Sequence, residues 1–147
     1  VVSYFIVTSI GAQINYYVQA DSPLIIGHDA NGQNYFLCRM QLTDQILLGK
    51  KAANHNDCVI AYAGKEFKST HFTMPLQAEF GHYVWQKSMD KAIKVGEDKE
   101  GQTLFLCQAS LNGSIEPGIT WRGYHHCLIT YEGQEVIADI TSILSRM

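Results

Sequence analysis

Residues 27–39 read GHDANGQNYFLCR, and residues 96–108 read GEDKEGQTLFLCQ. The two stretches lie 69 residues apart and the match runs on without a gap, so that fifteen of the forty positions from Gly27 to Glu66 recur in Gly96 to Glu135. Unrelated stretches of this composition would share roughly two or three; the chain is therefore a tandem duplication, and each half is expected to fold to the same unit. Inside each repeat the apolar period is two. YFLCRMQL (35–42) and LFLCQASL (104–111) alternate, while CVIAY (58–62) and CLITY (127–131) set Cys58, Ile60 and Tyr62, and Cys127, Ile129 and Tyr131, on one side of a strand. Tyr62 and Tyr131 are accordingly expected in the core. Glycine turns separate the runs: DANG, LLGKK and YAGKE in the first half, DKEG, EPGIT and YEGQE in the second. A helical period holds over ten residues nowhere, although YVWQKSMDKAI (83–93) could hold a short helical turn.

Short strands joined by glycine turns predict an all-β fold, two tandem repeats of about 70 residues forming packed antiparallel sheets. Residues 1–76 make the first repeat with an N-terminal strand and 77–147 the second, the two forming one compact two-lobed unit. FTMPLQ (72–77) aligns loosely with SYFIVT (3–8). Terminal strands are therefore expected to be exchanged, each repeat completing its sheet with a strand from elsewhere in the chain or from a second chain.

Hydrophobic residues make up 46% of the chain and charged ones 17%, which excludes a disordered tail or a coiled coil. The net charge is −3 and Lys50–Lys51 is the sole adjacent basic pair, so no basic face exists to neutralise phosphates and nucleic acid is not an expected partner. The opening VVSYFIVTSIG is far too short to span a membrane, so membrane insertion is not expected; it also lacks the basic start of a secretion signal. Four cysteines occupy equivalent places, Cys38 with Cys107 and Cys58 with Cys127. Cys38 alternates with Phe36, Met40 and Leu42, and Cys107 with Phe105, Ala109 and Leu111, which places these thiols on an apolar face. Buried free thiols are expected ahead of one disulfide in each repeat, and zinc after both. On that expectation a cytoplasmic location is favoured over a secreted one.

The ordered set IIGHDANG, LLGKK and AYAGKE, repeated as KVGEDKEG, EPGIT and TYEGQE, resembles the DM-nine repeat of invertebrate proteins over Leu24 to about Met74 and Ile93 to about Ile143. The resemblance implies a mannose-binding lectin of innate immunity, in which the Asp of Gly-x-Asp and the Lys of the Gly-Lys turn hold the sugar. These are Asp29 and Lys50 here, with Glu66 as a further candidate. Their chemistry suits a sugar, since a carboxylate accepts from two neighbouring hydroxyls and an ammonium donates to the lone pairs left over. In the second repeat Asp98 repeats Asp29, but Ile119 stands where Lys50 stands; Trp121 and Arg122 follow as a stacking surface and a replacement donor. Each residue also has a plainer role, Asp29 as the cap of its own turn and Lys50 as a solvated loop lysine.

No activated nucleophile, metal or cofactor motif occurs, so no enzyme and no cofactor is expected. His125 and His126 are adjacent and would face opposite sides of a strand. The rival readings are a non-catalytic interaction protein that keeps the repeat fold without sugar binding, and the lectin module of a longer pore-forming protein. One good site per chain further predicts a homodimer, because a single weak site cannot cross-link a glycan surface.

Overall fold

The computed structural model describes residues 21–147 and, before them, the backbone of two strands, Tyr4–Thr8 (β1) and Asn15–Gln19 (β2). The strands of the first half are β3 (Ile25–His28), β4 (Asn34–Leu42), β5 (Gln45–Ala52), β6 (Cys58–Tyr62) and β7 (Lys65–Ser69). A single 3-10 turn at Gln77–Phe80 and β8 (Tyr83–Gln86) lead to the second half. There follow β9 (Lys94–Glu97), β10 (Thr103–Leu111), β11 (Ser114–Thr120), β12 (Cys127–Tyr131), β13 (Gln134–Ala138) and β14 (Ser142–Arg146). The fold is all-β, and every strand from β3 to β7 has a counterpart from β9 to β13 that starts 69 residues later. The helical turn expected after Tyr83 is a strand instead, because β8 finds a partner in β14, with Trp85 opposite Leu144. No helix among the described residues is long and apolar enough to cross a membrane.

Strands β3, β4, β5, β9, β10 and β11 pair into a closed antiparallel ring, and closure removes the exposed edges an open sheet would present. Strands β6, β7, β13 and β12 carry a second wall from β5 round to β11. The halves interlock through their first strands: His28 of β3 pairs with Ile115 of β11, and Glu97 of β9 with Ile46 of β5, the same contact made twice. Lys65 of β7 stands opposite Gln134 of β13, its own counterpart, so the two halves meet about an approximate two-fold axis.

This crossing accounts for the first glycine of the repeated phrase. A Cβ on Gly27 would run into the carbonyl oxygen of Ile115, and one on Gly96 would lie 2.7 Å from that of Ile46. Only a bare backbone lets the partner strand approach so closely. The exchange expected of terminal strands is not seen among the described residues: Thr73 pairs with Arg39 and β14 pairs with β10, each within its own half, and the halves cross instead through β3 and β9. The N-terminal strand does not complete a repeat: β1 pairs with β2 in a two-stranded sheet of its own, and Val1–Ser3 lie outside the described residues.

The main core draws on both halves, with Leu24, Ile26 and Leu37 from one packed with Ile93, Val95 and Leu106 from the other. Two satellite clusters sit outside the ring, each built on a disulfide. Cys38–Cys58 joins β4 to β6 among Leu47 and Ile60, and Cys107–Cys127 joins β10 to β12 among Phe105, Ala109, Ile129 and Ile143. The expectation of free thiols is therefore corrected, and the preference for a reducing compartment falls with it. The physical reason is that β4 is buried on both faces at its centre: Leu37 points to the main core and Cys38 to the satellite, where β6 folds back within 5.9 Å between Cα atoms.

Candidate functional site

The carboxylate of Asp29 caps its own turn. Its Oδ1 accepts the backbone N–H groups of Asn31 and Gln33, both at 2.9 Å, and Gly32 takes φ +83° to close the loop. Asp98 does the same in the second half, accepting from Glu100 at 3.0 Å and Gln102 at 2.8 Å. The repeated Gly-x-Asp is thus explained by folding: the glycine admits the partner strand and the aspartate holds the turn. Oδ2 of Asp29 has no partner among the described residues and keeps its acceptor capacity.

Lys50 is not a solvated loop residue. It lies within β5, between Leu37 of β4 and Val59 of β6, and its side chain is 13% exposed. Nζ donates to Oε1 of Glu116 at 2.5 Å and to the carbonyl oxygen of Thr130 at 3.0 Å, and it stands 4.6 Å over the ring of Tyr35. Glu116 comes from β11 of the other half and is 2% exposed. Its Oε2 accepts the Tyr35 hydroxyl at 3.4 Å. Burial first, then the negative charges of Glu116 and Asp29, push the Tyr35 phenol well above its ordinary range, so it remains a hydrogen-bond donor throughout the physiological range. The ammonium has three donors and the protein uses two.

The rim around this cluster is assembled from loops of both halves. Asp29 and Tyr131 lie near enough to Tyr35 to act on its charge state, and the Tyr131 hydroxyl accepts from Nδ2 of Asn112 at 3.2 Å. Oε2 of Glu66 lies 3.9 Å from where a Cβ on Gly133 would stand, two residues beyond Tyr131. The structure so brings Asp29 and Lys50 to one neighbourhood about Tyr35 and adds Glu116 and Tyr131, which sequence reasoning did not find there; Glu66 lies beside the Gly133 turn, and no contact among the described residues joins it to Lys50 or Asp29. Tyr131 is half-buried and packs against the Cys127 and Ile129 cluster, as the strand period suggests, with its hydroxyl bonded to Asn112, whereas Tyr62 is 42% exposed beside Phe67 and is not the core residue expected.

The two-fold-related place is apolar. Ile119, Leu47 and Leu104 stand where Lys50, Glu116 and Tyr35 stand; Leu104 and Ile119 pack with the shared core, and Leu47 with Cys38, Cys58 and Ile60. Trp121 and Arg122 go to two different grooves, that of Arg122 also lined by Gln102, whose N–H Asp98 holds. Trp121 stacks on Tyr124 at 4.0 Å between ring centres and lines a groove with Lys87 and Asp139. Arg122 lies over the Phe105 ring at 5.4 Å and lines a different groove with Lys94 and Arg146. His125 and His126 are exposed and sit in the turn before β12 rather than on a strand, and His125 takes φ 64°. No group of three or more metal-ligating side chains exists among the described residues.

A closed β-ring of two interlocked halves, carrying one polar cluster at the seam between them, defines the class of protein. The chain belongs to the DM9 repeat family, whose sequence profile matches residues 29–138, from the Asp29 turn to the end of β13. Membership is consistent with a lectin-like, carbohydrate-binding module. Among curated proteins, none matches the chain.

Proposed function

We propose that the protein is a carbohydrate-binding lectin of pattern recognition, with mannose or mannose-rich glycans as ligand and its working site at Asp29, Lys50 and Glu66. The supporting observation is the asymmetry between the halves. The positions of Lys50, Glu116 and Tyr35 form a polar cluster while their two-fold counterparts Ile119, Leu47 and Leu104 are apolar, although a buried ion pair adds little stability over apolar packing. A charge cluster that folding does not require is better explained by a ligand. Oδ2 of Asp29 accepts from two vicinal hydroxyls, and the third Lys50 donor supplies the remaining bond. A shallow polar site of this kind holds one sugar weakly, at about 0.1 to 1 mM.

Calorimetric titration of mannose tests this. Lys50→Met and Asp29→Ala are expected each to remove charge-assisted bonds of about 1.5–3 kcal/mol, taking a weak site below detection, whereas Asp98→Ala leaves binding nearly intact. Binding is expected to survive EDTA, since the donors are protein groups. Binding that persists in Lys50→Met rejects the site, and loss in EDTA rejects the mechanism.

A second reading has its own support. Glu116 already neutralises Lys50, as a purely structural pair would, and that favours a non-catalytic interaction protein of the same fold. A chain that folds normally and shows no signal with any sugar on a glycan array would decide for it.

We further propose a homodimer. One working site per chain gives no avidity, two give it, and among the described residues β8 has β14 as its one partner strand and so leaves an edge for pairing. Sedimentation at micromolar concentration is expected to report twice the chain mass; a monomer that still agglutinates mannose-bearing cells contradicts the proposal.

A further inference from the structure

We propose that Asn112 is the acceptor of an N-linked glycan, and that this glycan stands at the rim of the Asp29–Lys50 site. Asn112-Gly113-Ser114 is the one place where the chain spells Asn-x-Ser/Thr with x other than proline. Its first-half counterpart is Thr43-Asp44-Gln45, so the triplet is no part of the duplicated plan. The two disulfides point to an oxidising compartment, the same one in which oligosaccharide is transferred to asparagine. Asn112 and Gly113 form the two-residue turn between β10 and β11, at φ 49° and 84°, and Asn112 is exposed.

Transfer joins Nδ2 of Asn112 to C1 of a lipid-linked oligosaccharide. The bond from C1 to the lipid pyrophosphate breaks, the pyrophosphate departs with its electron pair, and one amide proton is lost to base; nothing is oxidised or reduced. In the finished fold Ser114 is buried and its hydroxyl donates to the Leu111 carbonyl at 2.6 Å. The triplet must therefore be used before the hairpin closes, on the emerging chain. The remaining Nδ2 proton can still serve Tyr131.

The placement gives the modification a consequence. A Cβ on Gly113 would stand 3.9 Å from the Cβ of Ala30, the neighbour of Asp29, so the hairpin tip abuts the Asp29 turn. On its other side Asn112 donates to Tyr131, next to the Thr130 carbonyl that holds Lys50. A glycan rooted there competes with, or screens, an incoming sugar. This second half of the proposal rests on the lectin reading, and the first half does not.

The full chain, secreted behind a cleavable leader from a eukaryotic host, is to be weighed intact before and after an N-glycan-releasing endoglycosidase. The parent chain and Ser114→Thr, which keeps the triplet, are expected to carry one glycan at Asn112. Asn112→Gly is expected to carry none and to fold, because glycine suits the left-handed turn position. An unmodified parent chain overturns the acceptor assignment. Retention on mannose-agarose is then compared, and Asn112→Gly is expected to bind several-fold more tightly than the glycosylated parent. Equal binding overturns the role at the rim. If neither protein binds mannose, that role falls with the lectin reading while the mass shift still decides the acceptor.

Discussion

Lys50→Met is expected to destabilise the protein by about 3–5 kcal/mol, and replacing Glu116 by leucine in the same chain is expected to recover most of that loss. Removing the lysine strands a carboxylate that is 2% exposed, with only a long hydrogen bond from Tyr35 left to it. Removing Glu116 alone costs less, because Lys50 keeps the Thr130 carbonyl and the Tyr35 ring and has a flexible stem to reach water. The combination Lys50→Ile, Glu116→Leu and Tyr35→Leu copies the residues at the two-fold-related positions, Ile119, Leu47 and Leu104. A leucine at 116 would stand opposite Ala109, where the register leaves a small neighbour. The triple variant is thus expected to match the parent in urea midpoint and to bind no mannose. Stability and binding part company in one molecule, which separates a ligand site from a structural pair. A triple variant as unstable as Lys50→Met would mean that the polar cluster is required for folding, and the asymmetry between the halves would no longer point to a ligand.

Much of this architecture was legible from the 69-residue offset. Strand positions could be read because alternation and glycine turns are local properties, and they recur at Asn34–Leu42 and Thr103–Leu111 with identical bounds. The partner of Lys50 was not legible, since Glu116 lies 66 residues away on the strand that crosses from the other half. A partial signal did exist. Lys50, Tyr35 and Glu116 are all positions where the halves differ by exchange of a polar residue for an apolar one, but so are Ala30/Lys99 and Ala53/Arg122, and the pattern marks candidates without pairing them. Alternation also misled at the cysteines. A single apolar face suggests a thiol lodged in a core, whereas the centre of β4 has two buried faces and Cys38 belongs to the outer one. The identical spacing of 20 residues in both halves was the better guide.

That spacing sets the size of the other large effect. A crosslink closing a loop of 20 residues stabilises a fold by about 3 kcal/mol through the unfolded state, so Cys38→Ala with Cys58→Ala is expected to cost about that much, and the second pair the same again. Each pair is fully buried, and alanine in both places leaves a gap that adds to the loss. Against a total stability of about 5–15 kcal/mol for a domain, losing both bridges leaves little or nothing. Reduction is therefore expected to lower the melting temperature steeply, and the two double variants are expected to differ little from each other, since each satellite cluster lies outside the shared core. The measurement is thermal and urea unfolding of the parent with and without reductant, beside each double variant, with thiol titration to establish which bridges are open. A fully reduced chain that melts with the oxidised one would show that the satellites hold β6 and β12 in place by packing alone.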